Sequence, residues 1–233
     1  PRSTRAFSSA ASDVYKRQVL KRRGCDRVSV NPQSMSDAVL AAMGRAHRAA
    51  DILGAFALVR ESGIGCVNMD LIAGLPGDSA DGFRASLDQV LSLAPENVTV
   101  HTLALKKGSR LMEGATPLPP GEDVAAMLDY AWAALRESGQ IPYYLYRQKY
   151  MSGSFENVGW CLPGTESLYN ICMMEELHTI VSLGGGGVTK LVDRNTGYIT
   201  RIANAKYPQE YIQKIDAICA DKARVAEFCR QHG

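Results

Sequence analysis

The sequence predicts an α/β protein whose first half consists of parallel strands joined by helices. Three short segments, at 28–31, 67–72 and 98–103, alternate apolar and polar residues with the period of a β-strand. Segments with the period of amphipathic helices lie between them. Strands that alternate with helices through short connections form right-handed parallel crossovers. This element order is the basis of the fold prediction.

The first strand covers Val28 to Asn31, with Ser29 and Asn31 on its polar face. Pro32 ends this strand because a proline cannot donate a backbone hydrogen bond to a sheet. Ser36 is a plausible N-cap for the helix that follows. A second helix is predicted over about 49–60, where apolar residues recur at helical spacing.

The second strand, at 67–72, has the clearest pattern. Its odd-numbered residues are apolar, whereas Asn68 and Asp70 take the other face. Glycine, proline and glycine at 74–77 predict a tight turn. Since an unpaired carboxylate is costly to bury, Asp70 has two interpretations. It contacts a ligand at the carboxyl end of the strand, or it caps the next element or pairs with a nearby arginine.

The third strand repeats the asymmetry, with Thr99 and His101 on one face and Ala104 at its end. It follows a helix that Ser79 or Asp78 caps. Strands in a fully covered parallel sheet should be mostly apolar on both faces. Polar faces on all three strands therefore indicate an interior that is hydrated or filled by a ligand.

The C-terminal half gives weaker signals. An amphipathic helix is predicted over 122–138, residues 151–200 are predicted to be mostly loops, and 208–229 is predicted to be one helix. The glycine run at 184–187 lacks the G-K-[ST] order of a phosphate loop, so a tight turn is predicted there. The tyrosine cluster at 143–150 indicates core or interface packing, with ligand contact as the alternative.

Composition argues against several functional classes. No apolar run reaches the ~20 residues of a membrane span, and no segment has the order of a signal peptide, so a cytoplasmic location is expected. The six cysteines form no C-x-x-C pair and indicate neither a zinc site nor a disulfide framework. The first 60 residues carry 11 Lys and Arg against 4 Asp and Glu, but the basic residues are not interleaved with aromatic ones, so nucleic-acid binding is not expected.

Residues 1–18 have no periodic pattern and are predicted to be a disordered or artefactual tail. The end of this stretch, Asp13 to Gln18 (DVYKRQ), resembles a translated sequencing adapter. We therefore expect the natural part of this sequence to begin near Val19 and the true N-terminal part of the protein to be missing. On that expectation the chain is a fragment.

Several stretches resemble the second half of the barrel of radical S-adenosylmethionine (SAM) enzymes. They are Ser29–Met35 (SVNPQSM), Gly44–His47 (GRAH), Val67–Gly77 (VNMDLIAGLPG) and Asn97–Ser109 (NVTVHTLALKKGS). More narrowly, they resemble the oxygen-independent coproporphyrinogen III oxidase family. Two later stretches, Leu145–Met151 and Glu156–Glu176, are similar to its HemZ-like branch.

This resemblance implies a partial (β/α) barrel of the TIM type over 19–112, followed by a family-specific α+β domain over 113–233. Enzymes of this family use SAM and a [4Fe–4S] cluster bound by a C-x-x-x-C-x-x-C loop. Their 5′-deoxyadenosyl radical removes hydrogen from propionate side chains of coproporphyrinogen III, which lose CO2 to give protoporphyrinogen IX.

The sequence lacks that cysteine triplet. We therefore expect the chain alone to be inactive and the cluster ligands to lie in a missing N-terminal part. The resemblance implies a porphyrinogen substrate and an electron donor as partners of the parent enzyme. It predicts no metal ligand within this chain and does not identify the catalytic residues.

Position by position, the resemblance implies SAM contacts at Gln33, Arg45, Asp70, Ala104 and Tyr143. Asp70 would accept hydrogen bonds from ribose or adenine, and Arg45 would form a forked pair with the carboxylate of the methionine moiety. A direct ion pair between Asp70 and Arg45 is the alternative. Charge alone makes three further residues candidates for binding propionates, with solvated surface charge as the alternative. They are Arg147, Lys149 and Lys190.

Two other functions stay open. One is a haem-binding or haem-delivery relative of the same barrel family, which would bind haem rather than the porphyrinogen. A different radical SAM enzyme is the second possibility. A barrel enzyme without radical chemistry is a further alternative. A first strand without cluster cysteines in the parent gene would favour a barrel enzyme of the latter kind.

Overall fold

A computed structural model describes residues 19–104, 117–147 and 155–232. The chain forms two compact units, Pro1–Glu166 and Ser167–Gly233. The predicted tail at 1–18 and the predicted boundary between 112 and 113 lie outside the described residues. The division into a partial barrel at 19–112 and a family-specific domain at 113–233 therefore stays a prediction.

The first unit contains a mixed β-sheet with helices packed on one face. Its strands are β1 (Arg27–Ser29), β2 (Cys66–Ala73), β3 (Asn97–Thr102), β4 (Ile141–Tyr146) and β5 (Asn157–Cys161). Its helices are α1 (Asp37–Ala42), α2 (Ala49–Glu61), α3 (Ala80–Ser92) and α4 (Gly121–Glu137). The strand order is β1-β2-β3-β5-β4. The first three strands are parallel, as predicted, and β5 and β4 add an antiparallel hairpin-like extension.

The alternation predicted for β2 is confirmed. Val67, Met69 and Leu71 are completely buried, whereas Asn68 and Asp70 are only partly buried. The apolar face packs against helical residues of one continuous core, which include Phe56, Phe83, Leu87, Val124 and Met127. Burying each large apolar side chain stabilises the fold by about 1.5–3 kcal/mol. A one-residue slip would place Asp70 in this core, so burial fixes the face on which Asp70 lies.

The turn after β2 uses glycine as the sequence predicts. Gly74 has a φ of 84° and Gly77 a φ of 74°, a left-handed conformation that glycine adopts without strain. A Cβ atom at Gly74 would meet Cγ2 of Val124 at 3.2 Å. The missing side chain thus lets the turn lie close to α4.

The second unit contains more regular structure than the sequence predicts. Residues 151–200 hold not only β5 but also α5 (Leu168–Met174) and the antiparallel pair β6 (Val188–Val192) and β7 (Ile199–Ala203). Most described residues of this segment nevertheless lie in turns and loops, as predicted, and each of these elements is too short to show a clear period in the sequence. The predicted tight turn is confirmed, since the Gly187 N–H donates to the Gly184 carbonyl across 3.3 Å.

The prediction of one helix over 208–229 is also wrong. The segment forms α6 (Pro208–Gln213) and α7 (Ile215–His232), separated at Lys214, whose φ and ψ are −99° and 14°. Val225 of α7 is buried, whereas Ile212 of α6 is 69% exposed. No helix among the described residues is long and apolar enough to cross a membrane.

Cys161, the last residue of β5, predicts a pH dependence of stability. The side chain is completely buried, and burial raises the pKa of its thiol from 9.0 to about 11. The unfolded chain therefore loses this proton first, and the free energy of unfolding should fall as pH rises between these values, by at most about 1.4 kcal/mol per pH unit. Urea unfolding at a series of pH values should show that the free energy of unfolding falls less steeply with pH in Cys161→Ala than in wild type. Cys219→Ala, which removes an exposed thiol, should keep the original slope, and equal slopes in all three proteins would contradict the prediction.

Candidate functional site

Polar side chains of neighbouring strands meet on the sheet face opposite the helices. In the sheet register Ser29 lies opposite Asn68, and Asp70 lies opposite Thr99. Residues paired in this way share a face of the sheet. The three strands therefore bring their polar positions together, as the sequence predicts.

Asn68 orients the carboxylate of Asp70. Its Nδ2 donates a hydrogen bond to Asp70 Oδ1 across 2.7 Å, and its Oδ1 accepts one from Thr99 Oγ1 across 3.1 Å. These two bonds fix which way the amide points. Among the described residues, Asp70 Oδ2 accepts no hydrogen bond, and His101 Nε2 lies 3.9 Å from it. The Asp70 side chain is 16% exposed, so this oxygen is available to a ligand.

Tyr144 closes one side of the site. Its hydroxyl lies 3.3 Å from Thr99 Oγ1, and its side chain is buried. Burial raises the pKa of this phenol above its ordinary value, so it stays neutral. Gly159 makes the position possible, because a Cβ atom there would overlap the Tyr144 ring. The ring of Tyr146 stacks on that of Tyr144, with centroids 6.4 Å apart.

His101 is held at the same face by Tyr146. The Tyr146 hydroxyl lies 3.2 Å from His101 Nδ1, and the two rings meet edge to face with centroids 6.3 Å apart. The other ring nitrogen, Nε2, is the one nearest Asp70. The imidazole is 25% exposed, so it is accessible from solvent.

Gln33 lies next to Asp70 through backbone contacts. Its N–H donates to the Asp70 carbonyl and its carbonyl accepts from the Ile72 N–H, each across 2.9 Å. Its φ is 68°, a left-handed conformation that costs a residue other than glycine about 1–2 kcal/mol. Such strain is found more often at binding sites than elsewhere. Two of the predicted SAM residues, Gln33 and Asp70, are thus brought together.

The other predicted SAM residues lie further from this network. Arg45 follows α1 and is exposed, and the alternative Asp70–Arg45 ion pair is absent from the described part of the chain. His47, two residues later, has a buried Nε2 with no hydrogen-bond partner among these residues. Ala104 is half-buried just after β3, and Tyr143 packs edge-on against Tyr144 at 4.7 Å. That these residues contact SAM stays a prediction.

Two of the three candidates for binding propionates have carboxylate partners. Arg147 Nη2 lies 2.9 Å from Glu156 Oε1 and is largely exposed. In the second unit, Lys190 Nζ lies 2.7 Å from Glu176 Oε1. Its hydrogen bond lowers the pKa of the Glu176 carboxyl, so this pair stays charged. Lys149 lies outside the described residues, and a propionate-binding role for all three residues stays a prediction.

Comparison with known proteins identifies the family context of this site. Residues 16–90 match the Radical SAM superfamily. The chain is 42% identical over 211 residues to the oxygen-independent coproporphyrinogen-III oxidase-like protein HemZ of Bacillus subtilis, an alignment that covers 90% of this chain and 42% of HemZ. The chain is thus similar to HemZ over most of its own length and to the Radical SAM superfamily over residues 16–90. The predicted resemblance is confirmed.

The chain is also similar in sequence to a heme chaperone and in fold to a solved structure. The heme chaperone HemW of B. subtilis is 30% identical over 128 residues, which are 53% of this chain and 34% of HemW. Coproporphyrinogen III oxidase (HemN) from Escherichia coli, a radical SAM enzyme, superposes with a TM-score of 0.66 at 19% identity over 88% of this chain and 46% of its own. This likeness confirms the predicted fold, a partial α/β barrel with an α+β C-terminal part. The chain spans less than half the length of these relatives.

Sequence reasoning did not select several residues of this network as site residues: Asn68, Thr99, His101, Tyr144 and Tyr146. The polar positions of β2 and β3 were visible as a period-two pattern, but the pattern does not tell which of them contact one another. The tyrosines reach the site only because β5 pairs antiparallel with β3, and β4 in turn pairs antiparallel with β5. The sequence pattern around β5 does not predict that pairing.

Proposed function

We propose that the polar face built by Asn68, Asp70 and Thr99 binds SAM. The supporting observation is the carboxylate of Asp70: one oxygen is held by Asn68, and the other accepts no hydrogen bond from the residues that the structure describes. A carboxylate held in this way can accept hydrogen bonds from ribose hydroxyls or from the adenine amino group. Asp70 lies in the carboxyl-terminal half of β2, and α/β proteins bind ligands toward the carboxyl ends of parallel strands.

We further propose that the parent protein is an oxidoreductase that decarboxylates propionate side chains of coproporphyrinogen III. Similarity to HemZ over 90% of the chain supports this proposal. SAM bound beside a [4Fe–4S] cluster would supply the one-electron chemistry that removes hydrogen from a propionate. The role of this chain in that reaction would be to bind and orient the adenosyl group.

The residues present do not fit the cluster itself. The sequence has no C-x-x-x-C-x-x-C motif. Among the described residues, no group of three or more His, Cys, Asp or Glu side chains could hold a metal ion. We therefore derive no step of the reaction through the cluster, and the proposal for this chain concerns SAM binding alone.

Substitution of Asp70 tests the proposal. Charged hydrogen bonds contribute about 1.5–3 kcal/mol, so Asp70→Ala should weaken SAM binding by about 10-fold to 100-fold in isothermal titration calorimetry. Asp129→Ala, which removes an exposed carboxylate on α4, is the matched control and should leave SAM affinity unchanged. Absence of SAM binding by the wild-type chain, or equal affinities for wild type and Asp70→Ala, would contradict the proposal.

Similarity to HemW supports a second candidate, which is binding of haem instead of a porphyrinogen. The two candidates differ in whether the wild-type chain binds haem or the porphyrinogen. A haem-binding protein would give a saturable change in the haem absorption spectrum at a one-to-one ratio, and the reduced porphyrinogen would not compete. Competition by the porphyrinogen at lower concentration than haem would favour the oxidoreductase.

A further inference from the structure

The pair formed by Asp70 and His101 has a geometry that the SAM-binding proposal does not use. Asp70 Oδ2 and His101 Nε2 lie 3.9 Å apart, beyond the range of a direct N–H···O hydrogen bond. Both side chains are partly exposed at the same face of the sheet. The two atoms therefore face one another across a gap that a third polar atom could bridge.

Tyr146 determines what His101 offers to that gap. Its hydroxyl lies 3.2 Å from His101 Nδ1. When this O–H donates to Nδ1, the imidazole proton is on Nε2, which becomes a hydrogen-bond donor beside the acceptor oxygen of Asp70. The position of β4 next to β5 places Tyr146 there, and stacking on Tyr144 supports its ring.

A donor and an acceptor at this separation can both form hydrogen bonds with one hydroxyl group placed between them. An oxygen placed about 2.8 Å from each atom would subtend about 90° between them, which lies within the range of hydroxyl hydrogen bonding. Such a hydroxyl would accept from His101 Nε2–H and donate to Asp70 Oδ2. A ligand with hydrogen in place of this hydroxyl would leave both groups without a partner.

We propose that His101 is a ligand-contacting residue that binds one ribose hydroxyl of SAM jointly with Asp70, and that Tyr146 is the positioning residue that aims its Nε2–H. This inference rests on the proposed function, because it names the part of SAM that the site recognises. It makes His101 a determinant of selectivity for ribose over deoxyribose.

The test compares SAM with its 2′-deoxy and 3′-deoxy analogues by calorimetry. Wild type should bind one of the two analogues about 10-fold more weakly than SAM. His101→Phe should discriminate less than wild type, because only the bond from the hydroxyl to Asp70 remains, whereas His101→Gln, which keeps an N–H donor, should restore part of the difference.

Tyr146→Phe tests the positioning role, with Tyr130→Phe as its control. Tyr130 also donates its hydroxyl to an acceptor, Asp88, but does so on the helical side of the unit. We expect Tyr146→Phe to weaken SAM binding by about 2-fold to 5-fold and Tyr130→Phe to leave it unchanged. Imidazole ¹⁵N spectra should show the Nε2–H form of His101 in wild type and a tautomer mixture in Tyr146→Phe.

The outcomes separate this inference from the proposed function. If wild type fails to bind SAM, the proposed function fails. If wild type binds SAM but His101→Phe discriminates against the same deoxy analogue as strongly as wild type does, the inference fails and the SAM site stands. An Nδ1–H tautomer in wild type, or equal effects of Tyr146→Phe and Tyr130→Phe, would overturn the role given to Tyr146.

Discussion

Replacing Gly159 with alanine should disrupt the candidate site and destabilise the first unit by about 2–3 kcal/mol. The cause is steric. A Cβ atom on Gly159 would overlap Cε1, Cζ and Cδ1 of Tyr144. Real Cβ atoms do not approach other atoms so closely. Because Tyr144 is buried and stacked on Tyr146, its ring has no nearby space to enter. Urea unfolding measures the loss of stability, and SAM titration measures the loss of binding.

Two variants make this result specific to the Gly159–Tyr144 contact. Gly54→Ala, within α2 and with open space around it, should be neutral or stabilise the protein by up to about 1 kcal/mol. In a Tyr144→Ala background the clash is gone, so adding Gly159→Ala should cost little. The double-mutant cycle should give a coupling energy of about 2 kcal/mol. Additive effects would show that the two residues do not constrain each other.

The parts of the fold that the sequence predicts are those with local patterns. Strands β2 and β3 alternate residue types over six to eight positions, and the Gly-Leu-Pro-Gly turn has its own signature. These patterns were sufficient to place Asp70 on a polar face at the end of a parallel strand. They also predicted the helices that cover the opposite face.

The parts that the sequence does not predict depend on contacts between distant segments. Strand β5 has five residues, contains a glycine and is buried on both faces, so it shows no alternation. Its pairing with β3 and β4 brings Tyr144 to Thr99, 45 positions away along the chain. The left-handed backbone of Gln33 is likewise imposed by its bonds to β2, because nothing in the residue itself favours that conformation.

Strand β5 links the core and the site, because successive residues of a strand face opposite sides of the sheet. Gly159 lies beneath Tyr144 on the polar face, and Trp160 points into the helical core, where it is 2% exposed. Packing around Trp160 therefore fixes the strand on which Tyr144 rests. It follows that a change in the core should also reach the site.

Trp160→Ala should lower the free energy of unfolding by about 3–5 kcal/mol, because it removes a large buried side chain and leaves a cavity. Trp132 on α4 meets Trp160 edge to face, with centroids 4.8 Å apart, but is 47% exposed. Trp132→Ala removes the same side chain from a largely solvated position and should cost about 1 kcal/mol, close to the value of one aromatic pair. Urea unfolding of both variants, monitored by circular dichroism, measures the two losses of unfolding free energy. Equal losses of unfolding free energy in the two variants would mean that Trp160 does not anchor β5. They would contradict the inference that changes in the core reach the site.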